Sequence, residues 1–390
     1  MNKSHVRSRS WRAKALAVVM LGGALATSGV AASSATTRAE SRSTRSSAAA
    51  GLKAAEKYLA PYLKRATSIG ITTPTTKRPP RGKVVYWLQG NLADIQTITT
   101  GFQAATAALG WKLHTLSYDT TNPQALNADM TEAVNQGANF IAVSGEPIAA
   151  FASAIKLAKA KHIPVFDSFS TNPVLGKANG IYANFGGPRN VRLDGHLTGA
   201  YNAMYWKGHA NIVFVNDPDF PVLTSLMQAD RKAVTQYCKA CKYTVLNVST
   251  AQLASGAIPS VVVSFLQAHP TVNTLRFAIG VMSTGVAQAI SSAGLKTKLI
   301  IDGSDPEQPN FAALRTGTEQ AWVGLPRAAS AWYDVDAMAR YSLGMSLKPD
   351  SSGLLPAEIF TKATVPNPAP SDYVPFPGYP SQFKKLWHVG

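Results

Sequence analysis

The stretch FIAVSGEPIAAFASAIKLAKAKHIPVFDSFS, residues 140–170, decides the fold. Its first apolar run closes at Val143 and passes into the polar turn Ser144, Gly145, Glu146, Pro147. A segment of helical period follows to Lys161, and a second apolar run, Ile163 to Phe166, stops at Asp167. This is a βαβ unit. Strands that are apolar on both faces belong to parallel sheets covered by helices, and ligands in such sheets sit beyond the carboxyl ends of the strands. Two such ends lie here, at 144–146 and at 167–169.

The same alternation extends in both directions. Upstream, the pattern predicts a strand over 84–88, a polar loop over 89–94, a helix over 95–109 stopped by Gly110, a strand over 111–117, and a helix over 124–136 ended by Gly137. Downstream, an extended run over 181–185 meets Gly186, Gly187 and Pro188, a natural crossing point between domains. A second series opens at Asn211. Strands are expected over 211–215, 244–248, 274–278, 299–301 and 321–323, with helices over 222–237, 258–268, 285–293, 310–315 and 328–343. The tail from Lys348 is Pro-rich, with one strand-like run over 359–365. Two βαβ series of similar size predict an α/β protein of two doubly wound parallel-sheet lobes facing a cleft.

A chain of 390 residues is too long for one ordinary core, which agrees with two domains. The net charge of +17 suggests nucleic acid until it is located. Over 1–81, fifteen Lys and Arg face only Glu40 and Glu56, so thirteen of the seventeen surplus charges fall there and the folded part is nearly neutral. A phosphate-binding surface needs clustered cations on the fold, so nucleic acid is not an expected partner. The basic start reads instead as a secretory signal peptide, 1–32. Lys3 to Lys14 supply the charge, the apolar core after Ala15 is shorter than a membrane span, and Val30-Ala31-Ala32 suits cleavage near Ala32. Residues 33–81 read as a disordered linker carrying a short helix over 48–63.

Cys238 and Cys241, the only cysteines, follow a helix-like segment rather than opening one, where a helix dipole would lower a thiol pKa. In an exported chain they suit a small local disulfide. Catalysis finds no support: there is no GxGxxG after the first strand, no P-loop, no GxSxG, and no metal spacing among the seven histidines. No metal and no cofactor are expected.

At this point the chain resembles the type I periplasmic sugar-binding proteins of ABC importers, the ribose-binding-protein class. The resemblance covers about 82–343. It is carried by Gln136-Gly137-Ala138-Asn139 through Pro164-Val165-Phe166-Asp167, and by the block 299–305 with Gly317 and Pro326 downstream. The preface and the closing Gln382-Phe383-Lys384-Lys385-Leu386-Trp387 are similar to a secreted actinobacterial branch. The resemblance implies two lobes joined by three crossovers, with lobe 1 over 82–186 plus 325–345 and lobe 2 with the tail over 187–324 plus 346–390. It also implies a monomer that closes around a small ligand and presents it to a membrane permease.

Carried across by position, the family's ligand contacts fall on Gln89, Asn91 and Asp94 in the first loop, with Glu146 in the second. Asp167 and Phe169 follow the "IPV" strand, where the family often places an Asp-Arg pair on sugar hydroxyls; here Phe169 and Ser170 stand there. In the second lobe the candidates are Asn216, Asp217 and Phe220, then Val281 and Met282, then Asp302 and Asp305. The family's second-lobe Arg falls near Thr224, its Asn-Asp pair on Gly280 and Val281, and its last hinge Gln on Gly324. These departures remove hydroxyl partners and make the cleft more apolar, so a deoxysugar, an aromatic or an alicyclic metabolite competes with a sugar as ligand. Asp167 and Asp302 equally suit binding of backbone amides, and Phe169 and Phe220 equally suit packing beneath the loops. Delivery to a receptor or sensor kinase is the alternative to delivery to a permease.

Overall fold

The computed structural model describes residues 48–122, 124–171, 173–295, 298–348 and 354–390, apart from the side chains of Ala93 and Asp94. The expected signal peptide and its cleavage point lie outside these residues.

The decisive stretch forms β3 (Phe140–Ser144) and β4 (Val165–Ser168), joined through α4 (Ala152–Ala160). Every residue of both strands is buried because both run inside a sheet covered on its two faces. With β1 (Val84–Gly90), β2 (Lys112–Tyr118) and β5 (Ile181–Phe185) they make an all-parallel sheet of order β2-β1-β3-β4-β5. Side chains alternate across it. Val85 and Trp87 enter the core under α2 (Ala93–Leu109) and α11 (Arg327–Ser342), while Tyr86 and Leu88 face α3 (Ala125–Asn135) and α4. Helices α2 and α11 touch where Gly101 has no side chain, since a Cβ there would stand 1.9 Å from the Ala328 carbonyl oxygen.

The second sheet contains β6 (Asn211–Asn216), β7 (Lys242–Asn247), β8 (Thr274–Phe277), β9 (Ile300–Ser304), β10 (Ala321–Gly324) and β11 (Glu358–Thr361), in the order β11-β10-β9-β8-β6-β7. Only β11 is antiparallel. Without it, the order β7-β6-β8-β9-β10 repeats the winding of the first sheet strand for strand. Helices α5 (Pro188–Tyr205) and α6 (Pro221–Tyr237) pack on each other, with α5 also against β9 and β10. Cores of α8 (Ile258–Ala268), α9 (Val286–Ser292) and α10 (Gln308–Thr316) cover the sheet as well, and α7 (Thr250–Ala254) is a short helix the pattern did not announce. Cys238 and Cys241 are bonded, with Cα atoms 5.4 Å apart, closing the turn from α6 to β7.

The lobes exchange chain at β5 to α5, at β10 to α11 and from α11 to β11. Two further connections were not anticipated. After β11 the tail returns to the first lobe, where its helix Tyr379–Leu386 packs on α11; Trp387 stacks on Trp332 at 5.5 Å and donates to Asp336 Oδ1 at 2.6 Å.

The second is the preface, where the short helix expected over 48–63 forms as a helix over 48–59 and a 3-10 turn, Ala60–Leu63, while the linker expected after it is held on the fold and not free. This first helix, α1 (48–59), buries Ala55 and Leu59 against Leu197 and Ala200 of α5. The chain then crosses to the first lobe, where Ile69 and Ile71 join the core. Tyr333 Oη donates to the Ile69 carbonyl at 2.7 Å, Arg340 Nη2 to the Thr73 carbonyl at 2.7 Å, and Thr75 N to the Leu386 carbonyl at 2.9 Å. An extended Thr/Pro segment carries no periodic signal of its own. Its order comes from donors on α11 and acceptors on the tail helix that sequence does not bring together.

Candidate ligand-binding site

A cleft of about 770 Å³, counted to its mouth, lies between the lobes. The first sheet contributes the ends of all five strands: Leu92 after β1, Tyr118 and Thr120 at β2, Ser144 to Glu146 after β3, Phe169 after β4 and Gly186 after β5. The second contributes Phe220 after β6, Ala278 and Ile279 after β8, Ser304 and Asp305 at β9, and Leu325 and Arg327 after β10. This is the place where parallel sheets bind ligands, doubled. The first turns of two helices complete the wall, Val191 and Asp194 of α5 and Val222, Leu223 and Leu226 of α6.

The winding repeat reaches the site itself. Phe169 and Asp305 each follow the fourth strand of their lobe, and both hold a left-handed backbone, φ 57° and 56°. Each is pinned by the same bond to the next strand: Phe169 N to the Phe185 carbonyl at 2.6 Å, Asp305 N to the Val323 carbonyl at 2.7 Å. Left-handed φ on a residue with a side chain costs on the order of 1 kcal/mol or more and persists where surrounding contacts impose it. The conformation aims both side chains into the cleft. Gly186 makes room, since a Cβ on it would stand 2.0 Å from the Phe169 ring.

Charge in the cleft is unbalanced. Arg327 is engaged by Asp305 through two nitrogens, Nε to Oδ1 at 2.8 Å and Nη2 to Oδ2. Glu146 accepts from Tyr118 Oη at 3.1 Å, and burial pushes its carboxyl up to about 7. Asp194 is 5% exposed, and burial raises it to about 8. Its Oδ1 has no partner among the described residues, and neither do Ser144 Oγ and Ser304 Oγ.

Of the expected ligand contacts, the structure brings Glu146, Phe169, Phe220 and Asp305 to the cleft wall. The others lie elsewhere. Gln89 accepts from Thr99 on α2, and Asn91 braces Thr120, accepting from its N and Oγ1 at 3.2 and 2.9 Å. Asp94 has no described side chain. Asp167 is wholly buried, accepts from Ser170 Oγ at 2.7 Å and so holds the loop that carries Phe169. Asn216 bonds Asn247 at 3.1 Å, and Asp217 accepts from Thr250 Oγ1 at 2.9 Å, both fastening loops within the second lobe. Met282 is 1% exposed in the second-lobe core, with Val281 packed beside it.

Asp302 is corrected most firmly. It stands two residues before the end of β9 and pairs with Arg276 at 2.6 Å through each carboxylate oxygen, while Arg276 also holds Asp230 at 2.7 Å. It is the anchor of a buried ion network. Trp87 and Trp322 are core residues, each 0% exposed.

Sequence reading missed Asp194, Arg327, Tyr118 and the aliphatic wall. The spacing of Val191 with Asp194 and of Leu223 with Leu226 places each pair on one face of a first helical turn, a signal present in the chain. Which face turns toward the cleft is not.

A model of the periplasmic binding protein domain matches residues 84–345. The chain belongs to this family. Comparison with curated proteins returns no match. Among solved structures it is similar to GanP, a glucose-galactose binding protein from Geobacillus stearothermophilus, with a TM-score of 0.64 and 19% identity over 74% of this chain and 100% of that one. It is similar also to a carbohydrate transporter from Acidothermus cellulolyticus 11B in complex with myo-inositol, TM-score 0.60 and 20% identity over 73% and 95%. A third is the 5-methylthioribose transporter solute-binding protein from Thermotoga lettingae TMO, TM-score 0.64 and 16% identity over 80% and 99%. At such identities these neighbours show the type I periplasmic binding protein fold and nothing finer. Periplasmic binding proteins bind solutes without transforming them and work outside the cytoplasm. Among the described residues no helix is long and apolar enough to cross a membrane.

Proposed function

We propose that this periplasmic binding protein is the substrate-capturing component of an ABC importer, taking a small molecule between its lobes and offering the closed form to a permease. One observation carries the reading: nine strand ends from two equivalently wound sheets, with the first turns of α5 and α6, converge on a single cleft. That arrangement builds half of a binding site on each lobe, so a ligand gains its full set of contacts only when the lobes are together.

The wall points to a ligand with fewer hydroxyls than a hexose. Leu92, Ile95, Phe169, Phe220, Leu223 and Leu226 dominate it, and no Asn or Gln lines it among the described residues. Each hydroxyl buried there without a partner would cost about 1–3 kcal/mol. An alicyclic or aromatic metabolite, or a deoxysugar, fits the surface better. The test is a thermal-shift screen of the purified protein against pentoses, hexoses, inositols and small alicyclic and aromatic compounds. Saturating ligand raises the melting temperature by mass action. The expected hits are in the apolar sets. A hexose binding with micromolar or tighter affinity overturns the apolar reading, and small-angle scattering that shows no compaction with a bound ligand overturns capture by closure.

A further inference from the structure

We propose that the ligand of this cleft is an amine, an apolar ring or alkyl frame carrying a protonated nitrogen that is held by Asp194 and Glu146. The proposal rests on the capture reading above and narrows it to one chemical class.

Among the described residues three carboxylates line the cleft, Glu146, Asp194 and Asp305, against one cation, Arg327. Arg327 is committed to Asp305 through both Nε and Nη2. Two acids are therefore left over, and they are not surface groups. Asp194 is 5% exposed with an unpartnered Oδ1, and Glu146 has a tyrosine hydroxyl as its side-chain partner. A carboxylate taken out of water without a cation holds a proton to avoid the cost of a buried charge, and such a group on the wall of a ligand cleft is a natural seat for a cation brought from outside.

The hydrogen-bonding inventory points the same way. Carboxylates accept, and hydroxyls such as Ser144 and Ser304 accept as readily as they donate. The amides that satisfy both halves of a sugar hydroxyl do not line the wall among the described residues. What suits an acceptor-rich site is a group of donors with no acceptor, which describes an ammonium: three N–H and a positive charge. The aliphatic wall takes the frame, with the Phe169 and Phe220 rings adding apolar surface; the Phe169 ring already faces the Arg327 guanidinium, 6.0 Å from its centroid. Burial favours the protonated form of both acids in the empty cleft, so an arriving ammonium supplies the charge that lets them ionise, whereas an anionic ligand supplies none and is disfavoured.

The experiment uses a charge series on fixed frames: cyclohexyl, phenethyl and adamantyl, each as the ammonium, the alcohol and the carboxylate, beside ribose, glucose and myo-inositol. Binding to the purified full chain is measured by calorimetry. For at least one frame the ammonium is expected to bind ten-fold or more tightly than the alcohol, with no binding by the carboxylate. Asp194→Asn and, separately, Glu146→Gln are expected to weaken the ammonium about ten-fold while changing the alcohol less than three-fold. An alcohol or carboxylate that equals its ammonium overturns the proposal, as does failure of every ammonium. A response to a sugar alone defeats the amine and leaves capture standing, whereas silence across all compounds counts against both. The series in the unaltered protein decides the matter even if a variant does not fold.

Discussion

Asp194→Asn should stabilise the ligand-free protein, and by an amount that grows with pH. Burial lifts the Asp194 carboxyl from its ordinary 3.8 to about 8, and burial alone accounts for the shift. The native state thus holds its proton through a range in which the unfolded chain has lost it. Where the native state binds more protons, stability falls as pH rises, so the wild type loses stability between about pH 4 and pH 8. From pH 5 to pH 8 that window spans a little under three units, which at about 1.4 kcal/mol per unit amounts to about 3–4 kcal/mol. Asparagine keeps the shape and removes the titration. Glu146, Glu319 and Glu358 are each raised to about 7 by burial and slope the same way, but they do so in both proteins and cancel in the difference. The assay is urea unfolding followed by tryptophan fluorescence at pH 5, 6, 7 and 8. The stability difference, variant minus wild type, should climb steadily across the series. A difference flat to within about 0.5 kcal/mol would show that Asp194 is solvated or paired in solution, and the charge argument about the cleft would fall with it.

Arg276→Met should destabilise the second lobe by about 3–5 kcal/mol, because it leaves Asp302 and Asp230 buried without their shared partner; urea unfolding measures it, and a loss under 1 kcal/mol refutes the network's role. Gly186→Ala places a Cβ 2.0 Å from the Phe169 ring at φ 65°, so a loss of about 1–3 kcal/mol together with weakened ligand binding is expected, and unchanged affinity would mean that Phe169 does not shape the site. Reducing the Cys238–Cys241 bond opens a loop of only four residues, worth about 2 kcal/mol by chain entropy, so a reductant should lower the melting temperature by a few degrees without abolishing the fold; collapse of the fold would contradict this.

Much of the architecture was legible because it is local. The runs at 140–143 and 163–166 are apolar at successive positions and so announce the strands β3 and β4, which are buried on both faces. The two βαβ series follow from the same rule. Gly110 stops α2 with a left-handed backbone, as its position suggested, and Gly317 does the same at the end of α10. The candidate site was legible only at its loops. Phe169 and Asp305 stand one residue beyond their strands, where strand-end reasoning looks first. Asp302 misled for the same reason: three residues before Asp305, the same residue type belongs to the packed body and meets Arg276 from β8. Asp94 remains an expectation from position alone.

The sequence by itself determined where most of the strands and helices are, that they alternate, and therefore that parallel sheets would turn their carboxyl ends toward a common side. Tertiary structure decided which acids are left without a cation, that Arg327 is taken by Asp305, and that residues 48–81 bind across both lobes. The physical reason is range. Burial patterns repeat every two to four residues and are written along the chain, whereas the balance of charge in a cleft depends on groups such as Glu146, Asp194 and Arg327, far apart in sequence, that meet only when two sheets face each other.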